Sequence, residues 1–65
     1  MKSQLINSLI EEHHELKKKI IRLREFIKSE KFNKVSETQQ YLIKKQSKAM
    51  AYYERMLSER IKDLL

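Results

Sequence analysis

A chain with no glycine and no proline has few ways to bend, and here the apolar residues recur in steps of three and four. That period is the helical one. The sequence therefore predicts two amphipathic helices joined by one tight connection. The first helix is expected from about Ser3 to about Ser29. Its seam is Ile6, Leu9, His13, Leu16, Ile20, Leu23 and Ile27, with Leu5, Ile10, Ile21 and Phe26 widening it. A stripe this wide exceeds a two-stranded zipper and predicts contact with more than one neighbouring helix.

The connection falls at about residues 30–35, reading EKFNKV. Asn33 is the candidate for a left-handed residue, because no glycine is available for it. Phe32 is expected to fold back over the hairpin end. Ser36-Glu37-Thr38-Gln39 has the form of a capping box, with Glu37 suited to the positive end of the helix dipole. The second helix is expected over about 37–65. Its seam reads Ile43, Gln46, Met50, Tyr53, Leu57, Ile61 and Leu64. A turn centred near Asn33 to Lys34 would bring Leu23 near Gln46, Ile20 near Met50, Leu16 near Tyr53 and His13 near Leu57. The expected fold is thus all-α: one antiparallel two-helix hairpin covering 1–65, oligomerising into a helical bundle.

The need to associate follows from size. A lone hairpin buries one stripe per helix, and a chain of 65 residues rarely builds a sufficient core without a staple. Cysteine is absent, which removes both a disulfide and a thiolate metal site. Self-association is the common remaining solution; a very long helical dimer and a partner-induced fold are the others.

The formal net charge is +6, from 15 Lys and Arg against 9 Asp and Glu. A basic balance favours acidic partners such as nucleotides, nucleic acid or acidic proteins. No apolar run approaches the ~20 residues that span a bilayer, and no membrane partner is expected. The N-terminal residues run quickly into charge without a signal-peptide core, so the expected location is the cytoplasm.

Chemistry-bearing constellations are few. His13 and His14 are adjacent and so point about 100° apart on a helix, whereas helical metal ligands want spacings of three or four. His13 reads as a seam histidine. No nucleophile–base pair and no Gly-rich phosphate loop is present, and no enzymatic activity, cofactor or metal is expected. Glu15 precedes Lys19 by four residues, the favourable order for an ion pair. Gln46 in an apolar seam either fixes register or lies at a wet edge. Tyr41, Tyr52 and Tyr53 with the basic residues offer either a stacking-and-phosphate surface or a solvated face. Arg60, beside Ile61, either lines an intersubunit pocket or snorkels. The candidate ligand-binding residues are Lys18, Arg22, Tyr52 and Arg60. The mixed charge of the first helix argues against sequence-specific DNA binding.

The run from Glu11 to Ile61 resembles small helical-hairpin proteins of phage and prophage early regions. The resemblance rests on Glu12, Glu15, Leu16, Leu23, Phe26, Ile27, Phe32, Gln40, Gln46, Met50, Tyr53, Arg60 and Ile61. The segment SKAMAYYERMLSERI is also similar to the second helix of phage anti-CBASS sponges, in Ala49-Met50, the aromatic soon after and the closing Arg60. Those sponges are helical hairpins that assemble into hexamers and sequester cyclic oligonucleotide signals. This chain departs from them in lacking a polar tail after the last helix.

The resemblances imply a non-enzymatic, phage-type binding protein that interferes with host defence or host metabolism. Its first expected target is a host protein, met by helix-in-groove contact in the host cytoplasm. An alternative is a sponge that sequesters cyclic-nucleotide immune signals at subunit interfaces. A further alternative is a structural or nucleic-acid accessory protein.

Overall fold

The computed structural model describes residues 2–65. Helix α1 spans Lys2–Ile27 and helix α2 spans Glu37–Leu64, with a short 3-10 helix, Glu30–Lys34, between them. The two long helices pack against each other as a hairpin, and no strand occurs among the described residues. The result is a rod of 47 × 15 × 14 Å. Its radius of gyration is 14.8 Å, against roughly 10.7 Å for a compact domain of the same length.

The turn is built without any left-handed residue. No described residue has positive φ, so Asn33 does not take the left-handed role expected of it. Ser29, Val35 and Ser36 are extended instead, and the 3-10 turn lies between them. This is a solution open to a chain without glycine, because every φ stays negative. The backbone is stitched by Ser29 N–H to the Phe26 carbonyl at 3.0 Å, Phe32 N–H to Ser29 at 3.2 Å and Val35 N–H to Phe32 at 3.3 Å. The Ser29 hydroxyl also donates to the Phe26 carbonyl at 2.6 Å, which satisfies an acceptor at the end of α1.

Phe32 closes the hairpin end and is buried. Its ring meets Phe26 edge-on, with centroids 5.9 Å apart at 87°, the favoured T-shaped geometry. Lys44 Nζ lies 5.7 Å from the Phe32 centroid on another side. Ser36 caps α2 as expected: its Oγ accepts from the Gln39 N–H at 3.1 Å. The returning side chain is that of Gln40, whose amide donates to the Val35 carbonyl at 3.1 Å.

The core is a single layer. Leu9, Leu16, Ile20 and Leu57 form it, with Met50, Ile61 and Leu64 packed alongside. Leu57 is the most enclosed of them at 1 % exposure. Leu23, Phe26, Ile27 and Ile43 are half-buried along the same interface.

Tyr53 is corrected as an inner-face residue, and Gln46 takes the wet edge, one of its two expected places. Gln46 and Tyr53 are exposed, while Ser47 and Glu54 are the half-buried residues on the inner face of α2. In each adjacent pair either residue satisfies a three-four pattern, and polarity alone favoured the wrong one for Tyr53 over Glu54. A tertiary partner reverses that preference. His13 Nε2 and Glu54 Oε1 are 2.8 Å apart across the hairpin, so the carboxylate is satisfied where it is partly buried. His13 thus meets Glu54, one turn before the Leu57 expected opposite it. Glu15 pairs with Lys18 at 3.5 Å in place of Lys19.

A candidate anion-binding groove

Four residues of α1 at helical spacing, Lys19, Arg22, Leu23 and Phe26, project along one side of the hairpin. Gln46 and Met50 of α2 face them, and the six line an open, shallow groove of about 330 Å³. The side chains sort by chemistry. Leu23, Phe26 and Met50 supply apolar surface, Lys19 and Arg22 supply two cations, and Gln46 supplies an amide. Phe26 is held edge-on by the buried Phe32, so one wall of the groove is fixed by the turn. The Gln46 amide lies 3.9 Å from the Met50 sulfur, a weak contact that leaves its polar atoms available to a ligand.

An aromatic and aliphatic floor beneath a guanidinium and an ammonium suits a flat, anionic molecule. Apolar surface takes the ring face, and the arginine fork takes phosphate oxygens in pairs. The volume sits at the small end of the range for small-molecule sites, ~300–1,000 Å³. A second, smaller groove of about 160 Å³ runs along the opposite side between Lys17, Ile20, Ile21 and Arg24 of α1 and Ala51 and Glu54 of α2. The Glu54 carboxylate in its wall makes it the poorer home for an anion.

Of the four ligand-binding candidates, Arg22 lines the larger groove. Lys18 is exposed and paired with Glu15, away from the groove. Tyr52 is exposed on α2 and lines neither groove. Arg60 is exposed and lies on the Gln46 side of α2, but four turns further on, roughly 21 Å along the axis. Lys19, Leu23, Phe26, Gln46 and Met50 line the groove but are not among those four candidates. The first three share a helix face with Arg22, which the sequence displays. Their meeting with α2 follows the antiparallel register expected above, which sets Leu23 near Gln46.

The family model Sequestin matches residues 3–63. The chain belongs to the Sequestin family. The matched stretch of this Sequestin-family hairpin takes in the turn, the whole single-layer core and all six residues of the larger groove. No curated protein and no solved structure gives a significant match. No helix among the described residues is long and apolar enough to cross a membrane.

Proposed function

We propose that this protein is a non-enzymatic sequestering protein that holds an anionic signalling nucleotide in the larger groove, with a second copy closing the site. The observation that carries this reading is the pairing of two cations, Lys19 and Arg22, with the apolar wall of Leu23, Phe26 and Met50. Two cations match a ligand with two phosphate groups, and the apolar wall matches a base. The family name, Sequestin, points the same way. None of the six lining residues is a carboxylate or imidazole able to move a proton, which favours holding over chemistry. Following the phage resemblance, the biological role is removal of a host immune signal in the host cytoplasm.

The test is calorimetry with ADP, cyclic di-AMP and cyclic tri-AMP at low salt. Saturable binding to at least one is expected, at a stoichiometry fixed by the assembly. It should weaken as salt rises, because exposed phosphate contacts are screened. Arg22→Ala should cost about 1.5–3 kcal/mol, the range for a charge-assisted hydrogen bond.

A host-protein target is the second reading. It draws on Tyr41 and Tyr52, which are exposed on α2, with Lys45 Nζ 5.5 Å from the Tyr41 ring centroid. Aromatic and basic side chains of this kind are frequent anchors in protein interfaces. No nucleotide binding at low salt, together with recovery of one host protein that Tyr52→Ala releases, would transfer the function to that surface.

A further inference from the structure

Helix α2 carries two seams. One packs on α1 through Ile43, Ser47, Met50, Glu54, Leu57 and Ile61. The other is Leu42, Gln46, Ala49, Tyr53, Met56 and Arg60, again in alternating steps of four and three. Five of its six members are exposed in the hairpin, and Met56 is half-buried. Leu42 is 49 % exposed and Tyr53 is 45 % exposed, and Gln46 stands at its meeting with the larger groove.

The surface area shows how much covering the rod needs. Its accessible surface is 5426 Å², against roughly 4,450 Å² for a folded monomer of this mass. The excess, roughly 1,000 Å², is close to the ~800 Å² that each partner buries in a standard interface. The second seam is also symmetric in its spacing. Reversing it about the midpoint between Ala49 and Tyr53 maps every member onto another member. Such a stripe is self-complementary, as a two-fold interface requires. In that register Ala49 faces the partner's Tyr53, small against large, and Gln46 faces the partner's Met56.

We infer that the second seam docks a second copy of this chain in antiparallel register, and that each copy lends Arg60 to the other's groove. Within one copy Arg60 is too far from Arg22 to share a ligand. Reversal sets the partner's Arg60 against Leu42, one turn from Gln46 in the groove wall. Lys19, Arg22 and the partner's Arg60 then converge on one site. Three cations side by side repel until an anion sits among them, so ligand binding tightens the dimer and the dimer tightens ligand binding. The lending of Arg60 rests on the sequestering reading; the docking does not.

The native chain has no cysteine, so single-cysteine variants report the register directly. Ala49→Cys mixed with Tyr53→Cys should give a disulfide-linked pair under mild oxidation, faster than either variant alone. Tyr53→Cys linking to itself as fast as the mixture would overturn the register. Linking no faster than that of Lys48→Cys, outside the seam, would overturn the docking.

Sharing of the site is read by subunit mixing. Arg22→Ala and Arg60→Ala should each weaken cyclic di-AMP binding at least ~10-fold. An equal mixture should regain about a quarter of the wild-type sites, because a mixed dimer holds one groove with both arginines intact. If nucleotides bind and mixing regains nothing, the shared site is wrong while sequestration stands. If the cysteines link in register and no nucleotide binds, the docking stands, whereas sequestration and the lending of Arg60 both fall.

Discussion

Leu57→Ala separates the packing of the hairpin from everything built on it. Leu57 is 1 % exposed and touches the layer made by Leu9, Leu16 and Ile20. Leu→Ala in a core costs about 2–5 kcal/mol, the spread reflecting how far the site collapses. A two-helix rod has no third layer to hold a cavity open, so the helices close over the missing atoms in part. The expected cost is therefore in the lower half of that range, about 2–3 kcal/mol. For a domain this small, each kcal/mol moves the melting temperature by about 4–8 °C. The shift should be roughly 8–24 °C downward, read by circular dichroism at 222 nm (a standard helical band). The comparison is Tyr53→Ala, on the exposed second seam. Leu57→Ala should lower the melting temperature at every protein concentration. Tyr53→Ala should leave the dilute protein nearly unchanged and remove the rise in melting temperature with concentration. A Leu57→Ala protein melting within a degree or two of the parent would refute the assignment of the inner face.

Other substitutions test separate contacts. Ser36→Ala removes the cap on the Gln39 N–H and should cost ~1 kcal/mol by thermal denaturation; an unchanged protein would mean the cap contributes nothing. His13→Ala, Glu54→Ala and the double variant form a cycle across the 2.8 Å contact. Its coupling should be about 0.5–1 kcal/mol, given that the pair is only partly buried, and zero coupling would discard the pair as the reason Glu54 faces inward. Phe32→Ala removes the edge-on support of Phe26. It should weaken nucleotide binding as well as stability, by destabilising the groove wall, and intact affinity in the folded fraction would show that Phe26 needs no buttress.

The parts of this fold visible in the sequence are those with local causes. The cap at Ser36 needs only its neighbours, and Phe32 in a polar turn has nowhere else to go. The core residues Leu9, Leu16, Ile20 and Leu57 follow the helical period unambiguously. The parts that were hidden have causes far away in the chain. Glu54 turns inward because His13 waits for it across the hairpin, 41 residues distant. The turn avoids Asn33 as a left-handed pivot because extended residues at both ends of a 3-10 turn do the same work. Arg22 could be singled out as a cation. Its place beside Gln46 and Met50 follows from the antiparallel register, which sets Leu23 near Gln46 and Ile20 near Met50. Tyr52 and Lys18 share that chemistry but line neither groove.

A sequestering protein removes a nucleotide from solution and leaves it unaltered. Equilibrium dialysis against ADP, cyclic di-AMP and cyclic tri-AMP, followed by heat denaturation of the protein and mass spectrometry of what is released, tests this most directly. One of these ligands should be depleted in proportion to protein, and denaturation should return it intact and in full. Depletion of none of them, or release of a chemically altered product, would contradict sequestration.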